Sequence, residues 1–190
     1  MNTRDKILSA AEKVFSKNGY YMATMDMIAS EAEVAKGTLY YNFPSKVTLF
    51  TEVIREGLKY LSRNLTDIAY NEYSPDMQVL KCIDFFVDYA VENSSFMFIL
   101  FNELSGGIDK DALSTAKELI NDLAKIIRDI LQEGMNYSIV RYMDPNIAAY
   151  ALLGAFQGVM GNYMKNSETV DIKKIKDNLG TLFMKGLLYR

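Results

Sequence analysis

The sequence predicts an all-α protein of about nine helices, and three observations carry that prediction. Apolar residues recur at steps of three and four along most of the 190-residue chain, the signature of helices that bury one face. No stretch alternates with a period of two for long enough to compete as a strand. The breaks fall at helix stops and caps: Gly19, Pro44, Pro75, Gly106-Gly107 and Asp144-Pro145. There is no internal repeat.

The elements follow in order. Thr3 is the expected N-cap of a helix over about residues 3–18, with Ile7, Leu8, Ala11, Val14 and Phe15 on one face and Gly19 as its left-handed stop. Thr24 caps a short second helix, and Asp26 in its first turn faces the positive end of the helix dipole. A short third helix stops at Pro44. Ser45 caps a long fourth helix reaching about residue 70. Residues 71–76 interrupt the pattern, and helices follow over about 76–92 and 94–104, the latter ended by Gly106-Gly107. A long helix over about 109–133 closes at Gly134. Asp144 caps the next, with Pro145 at its first position, and it runs to about 166. The last helix spans about 171–189.

Residues 24–46, TMDMIASEAEVAKGTLYYNFPSK, are the most informative. They read as a helix-turn-helix, whose tight crossing needs a small residue on the first helix and apolar plugs behind the turn. Ala29, Val34 and Leu39 supply these. The second helix then offers Lys36, Gly37, Thr38, Tyr40, Tyr41 and Asn42: a cation, a bare backbone, and hydroxyl and amide groups able to reach phosphates or base edges. Lys46 follows as a phosphate clamp.

This stretch, AKGTLYYNFPSKVTLF, resembles the recognition-helix signature of TetR-family transcriptional regulators. Upstream, Arg4, the Ile7-Leu8-Ala11-Phe15 pattern, Gly19-Tyr20, and Thr24 followed by Ile28-Ala29 extend the resemblance over about the first fifty residues. It implies an all-helical homodimer, with a DNA-binding domain at 1–46 and a ligand-binding and dimerisation domain at 47–190. It also implies a phosphate contact from Thr24. Two positions depart from the family pattern. Glu33 stands where glycine is usual, so either its backbone is left-handed or the turn is built differently. Ala35 stands where serine is frequent, which removes a capping hydroxyl. Asn42 replaces a common histidine and keeps the capacity to bond phosphate or adenine.

The charge distribution fits such a reader. Residues 1–50 carry six Lys or Arg against five acids, a balance of +1, while the remainder carries 15 against 19, a balance of −4. Affinity for DNA depends on cations placed on phosphates, not on net charge. A weakly positive head on an acidic body argues against a general nucleic-acid coat protein. The single Cys82 excludes an intramolecular disulfide framework, and no secretory signal or membrane span is visible, so a cytoplasmic protein is expected.

In the C-terminal part, the helix around Val79, Cys82, Phe86 and Ala90 is apolar on more than one side and belongs in the middle of a bundle. Taken residue by residue, this is ordinary core. The family resemblance adds a cavity lined by Phe86, Tyr89, Phe96, Phe101 and Met160, suited to a bulky hydrophobic ligand. Asp84, Asp88 and Glu92 form a carboxylate stripe, with Glu103 on the next helix; the stripe is either the helix's solvent edge or a feature favouring a cationic ligand. Without histidine, a histidine-bound metal is not expected, and no cofactor is implied.

The helix AAYALLGAFQGVMGNYM carries Ala151, Gly154, Gly158 and Gly161. Glycines inside a soluble helix usually mark close backbone packing. The expected partner is the same helix of a second subunit, with the final helix completing a four-helix interface; an intrachain crossing is the alternative. An enzyme is disfavoured, since there is no histidine, one cysteine in an apolar helix, and no phosphate-cradling glycine loop. The resulting expectation is a ligand-responsive transcriptional regulator, a repressor on a pseudopalindromic operator. The alternative is a helical small-molecule carrier whose head no longer binds DNA.

Overall fold

The computed structural model describes residues 2–103, 110–166 and 171–187. Among these, nine α-helices and one π-helical turn make up the fold: α1 (Thr3–Met22), α2 (Met25–Glu31), α3 (Lys36–Asn42), α4 (Lys46–Ala69), α5 (Pro75–Glu92), α6 (Ser94–Phe98), the π turn (Ile99–Glu103), α7 (Lys110–Asn136), α8 (Pro145–Asn166) and α9 (Ile172–Leu187). The all-α expectation therefore holds. Gly106-Gly107 and the end of the last helix at 189 lie outside the described residues.

Local chemistry explains most boundaries. Thr24 Oγ1 accepts from the Met27 amide at 3.1 Å, and Ser45 Oγ accepts from the Thr48 amide at 3.1 Å. Asp144 Oδ1 accepts from the Asn146 and Ile147 amides, and these bonds hold its carboxyl below the usual carboxylate range. Asp171 caps α9 through the Lys174 amide. At the N-terminus the cap is Asn2 rather than Thr3. The Asn2 side chain accepts from the Asp5 amide while the Asp5 carboxylate accepts from the Asn2 amide, a reciprocal box that Thr3 does not make.

Two expectations about helix course fail. Gly134 does not end α7, which runs two residues further. The chain folds back so closely that a Cβ at Gly134 would lie 2.5 Å from Val140 and 3.1 Å from Pro75. The turn itself is made by Ser138, at φ 56°. The helix expected over 94–104 is instead α6 followed by a π turn, where the Asn102 side-chain amide donates to the Phe98 carbonyl at 2.9 Å.

The chain forms two compact units. One joins Met1–Lys59 with Ser95–Leu119, the other Tyr60–Ser94 with Ile120–Arg190. In the first, Ile7, Phe15, Ile28, Leu39, Leu49, Phe50 and Ile54 are sealed from solvent. Phe15, Tyr20 and Phe50 form an aromatic cluster with centroids 4.9–6.0 Å apart. Gly57 is needed there, because a Cβ would overlap the Phe96 ring. In the second unit α5 is the central helix, packed against α8 and α9, with Val79, Cys82, Ile83, Phe86, Val87 and Ala90 buried. Helices α4 and α7 contribute residues to both units.

Candidate nucleic-acid interface

The head is built on α1, α2 and α3. Ala29 and Leu39 are buried where α2 and α3 meet the core, and Val34 is half-buried behind the turn, its amide donating to the Ala29 carbonyl at 3.0 Å. The turn resolves the question posed by Glu33: its φ is 54°, the left-handed region that favours glycine. Ala35 is the N-cap of α3 and makes no side-chain capping bond.

With Leu39 fixed inward, α3 turns the opposite face to solvent. Lys36, Gly37, Thr38, Tyr40 and Tyr41 are exposed, Tyr41 to 90%. A Cβ built at Gly37 would meet nothing within 4 Å, so this chain alone gives no steric reason for a glycine there. Thr24 is exposed at the start of α2. The structure thus brings Lys36, Gly37, Thr38, Tyr40 and Tyr41 onto one outward helix. Arg4 braces the arrangement from behind, pairing with Glu52 at 2.6 Å and lying over the Phe43 ring.

Three polar groups are engaged in ways the sequence did not suggest. Lys36 Nζ sits 2.7 Å from Asp26 of α2, and this hydrogen bond and charge raise its pKa above the ordinary lysine value. The Asn42 side-chain amide nitrogen donates back to the Thr38 carbonyl at 2.8 Å, which leaves its oxygen as the acceptor it can still offer. Lys46, expected as a phosphate clamp, turns inward: its ammonium donates to the carbonyls of Tyr20, Tyr21 and Ala23. Asp26 was legible only as a dipole partner for α2, because nothing local ties it to a lysine ten positions later.

Of the five residues expected to line one cavity, Phe86, Tyr89 and Met160 belong to the second unit. Phe86 stacks on Phe156 with centroids 5.1 Å apart, and Tyr89 stacks on Tyr60 at 5.3 Å. Met160 is buried. Phe96 and Phe101 belong to the first unit, where Phe96 covers Gly57. Phe86 lines a small apolar cavity with Ile83, Leu152, Phe156, Leu179 and Phe183, of about 10 Å³, enough for about one water molecule. The carboxylate stripe divides: Asp84 and Glu92 are exposed, and Asp88 pairs with Lys176 of α9 at 2.7 Å, so these three form a solvent edge. The Glu103 side chain lies outside what is described.

On α8, Ala151, Gly154 and Gly158 are exposed and Gly161 is half-buried. Cβ atoms at Gly154 and Gly158 would meet nothing within 4 Å, so neither glycine serves a crossing among the described residues. Around them, Ile147 is 70% and Leu182 of α9 62% exposed. Together with Met143, Ala148 and Gly186 they border an open, mostly apolar groove of about 540 Å³. Sequence reasoning missed Ile147 and Leu182, since an exposed apolar residue reads the same as a buried one.

Comparison with known proteins agrees with this geometry. The family of bacterial regulatory proteins described as the tetR family matches residues 7–53. A Clostridium perfringens protein of known structure, provisionally described as a fatty acid metabolism regulator, is 30% identical over 97% of this chain and all of its own, with a TM-score of 0.83. The Bacillus subtilis regulator FadR, solved in complex with stearoyl-CoA, is 19% identical, covering 96% of this chain and 98% of its own with a TM-score of 0.87, a likeness of fold. The transcriptional repressor NicS of Pseudomonas putida is 28% identical over 140 residues, 73% of this chain and 66% of its own.

Proposed function

The chain belongs to the tetR family of bacterial regulatory proteins, DNA-binding transcriptional regulators rather than enzymes, and from that premise we propose that it is a homodimeric repressor released from a pseudopalindromic operator by a bulky hydrophobic ligand. The observation that carries this is the outward face of α3. Lys36, Thr38, Tyr40 and Tyr41 surround a glycine at which a Cβ would meet nothing within 4 Å among the described residues, on a helix locked by Leu39. Such a helix enters a major groove, with Lys36 on a guanine edge or phosphate, Gly37 admitting the backbone, and Thr38 on a thymine methyl or hydrogen-bond acceptor. Tyr40, Tyr41, Asn42, and Thr24 through its hydroxyl supply phosphate contacts.

Two heads are needed to read a palindrome, and the apolar face of α8 and α9 supports pairing. Ala151, Gly154, Gly158 and Gly161 let two copies of α8 approach closely, while Ile147 and Leu182 bury against the partner. Half-sites then lie about one helical turn, 34–36 Å, apart. This keeps residues 1–46 as the DNA-binding part and 47–190 as the ligand and dimerisation part.

Helix α4 is the element through which ligand is felt. Its C-terminal end is held by buried Gln78 of α5, whose side-chain amide donates to the Ala69 carbonyl at 3.0 Å. Ligand entering the second unit around Phe86, Tyr89 and Met160 opens the core, moves α5 and carries α4 with it. By linkage, ligand favours the conformation that DNA disfavours, and each weakens the other by the same factor. The FadR complex makes a long-chain acyl-CoA the first ligand to try.

The test is random-site DNA selection followed by fluorescence anisotropy on the selected sequence, with Lys36→Ala as control. Saturable, sequence-selective binding lost in Lys36→Ala, and reversed by stearoyl-CoA, is the expected result. The rival reading, a ligand carrier with a disabled head, draws on the strained Glu33 and the uncapped start of α3 at Ala35. It predicts acyl-CoA binding with no selected site. Equal ligand affinity with and without operator would sink the repressor mechanism.

A further inference from the structure

We infer that Lys46 is a positioning residue that builds the head from within rather than a cation laid on a DNA phosphate. An ammonium group has three N–H donors. Those of Lys46 meet three carbonyls, Tyr20 at 2.8 Å, Ala23 at 2.9 Å and Tyr21 at 3.3 Å, and the nitrogen lies 4.6 Å from the centre of the Tyr20 ring. The side chain is half-buried, unlike the exposed Lys36.

The three carbonyls lie where the chain needs a tie. Gly19, at φ 73°, breaks the regular course of α1, and residues 20–23 form one further turn before Thr24 caps α2. Carbonyls at a helix end have no partner within the helix and carry partial negative charge, so a lysine close by satisfies several at once. Lys46 is also the first residue of α4. Its ammonium therefore fixes Ala23, and with it the Thr24 cap and the start of α2, to the base of the helix that leaves the head. A phosphate would have to displace one of these carbonyls to reach it.

The affinity readout rests on the proposed DNA-binding function, whereas a second readout on free protein does not. Lys46→Arg, Lys46→Met and Lys36→Ala are compared with wild type in hydrogen exchange without DNA, and in binding to the selected site across a salt series. A lost phosphate contact lowers the salt slope by about 0.9 per subunit. The expected result is at least a tenfold affinity loss in both Lys46 variants with the slope unchanged. Free-state exchange at the Ala23, Met27 and Ile28 amides, all hydrogen-bonded in the structure, should quicken about tenfold. Lys36→Ala should lower the slope and leave that exchange unchanged. Retained affinity in Lys46→Arg, a reduced slope in Lys46→Met and unaltered exchange would overturn the inference. Should Lys46→Met fail to fold, the charge-preserving Lys46→Arg decides, since a phosphate clamp tolerates arginine and a three-carbonyl tie does not. If wild type binds no DNA, the regulatory reading fails and the exchange data alone decide Lys46: quickening supports the tie and unchanged exchange refutes it.

Discussion

The outward face of α3 and the outward face of α8 both carry glycines at which a Cβ would meet nothing within 4 Å among the described residues, yet their surroundings are opposite. Gly37 sits among a lysine, a threonine and two tyrosines, whereas Gly154 and Gly158 sit near Ile147, Ala151 and Leu182. Gly57 and Gly134 behave differently again, since a side chain at either would strike Phe96 or Val140. Glycine in a helix costs about 0.5–1 kcal/mol relative to alanine. At Gly57 and Gly134 that cost is explained within the chain, and at Gly37, Gly154 and Gly158 it points outside. What stands around the glycine separates the two proposed partners: a polyanion for the first face, an apolar copy of the chain for the second.

The strongest way to break this comparison is to charge the second face. Ile147→Glu combined with Leu182→Glu should raise the dimer dissociation constant more than about 100-fold, because like charges meet across a twofold axis. Light scattering after gel filtration measures it, with helix content by circular dichroism unchanged. A persistent dimer would place the interface elsewhere. Next come the glycines themselves. Gly57→Ala should lower stability in urea by about 1–3 kcal/mol through overpacking against Phe96. Gly154→Ala, made in the charged monomeric background, should instead raise it by up to about 1 kcal/mol.

Gly37→Ala should likewise gain about 0.5–1 kcal/mol of stability while weakening DNA binding in anisotropy, the two readouts moving apart. A stabilised variant with full affinity would show that the groove has room for a methyl group. Glu33→Gly should give a smaller gain, under about 1 kcal/mol, because relief of the left-handed backbone is partly offset by the greater freedom of glycine in the unfolded chain. The smallest effect is expected for Asp26→Asn. Freeing Lys36 from an exposed pair should tighten DNA binding only about two- to threefold, an advantage that salt erodes.

Features encoded within four or five residues were legible. Thr24, Ser45 and Asp144-Pro145 were placed because a capping side chain bonds its own helix. Ala29 and Leu39 were placed because the helix-turn-helix crossing dictates which side faces inward. The rest depends on chain distant in sequence. Gly134 has the signature of a helix stop, and only the returning Val140 and Pro75 explain why it lies inside α7. Lys46 has the signature of a phosphate clamp, and its carbonyl partners come from 23 to 26 residues earlier. Phe86 and Phe96 carry identical local signals although they serve different compact units. Aromatic content shows that a core exists without showing which rings share it.

Burial of Cys82 has a consequence for the kinds of message this molecule can receive. Its thiol is pushed up to about 12 by its apolar surroundings, so it stays protonated and unreactive at any pH a living cell sustains. It is also the chain's single sulfhydryl, and the chain has no imidazole. An oxidant that acts through a thiolate, or mild acid that acts through an imidazole, therefore has no ready group of that kind in this chain. For the proposed regulator, a signal that arrives as a bound ligand needs neither of those groups.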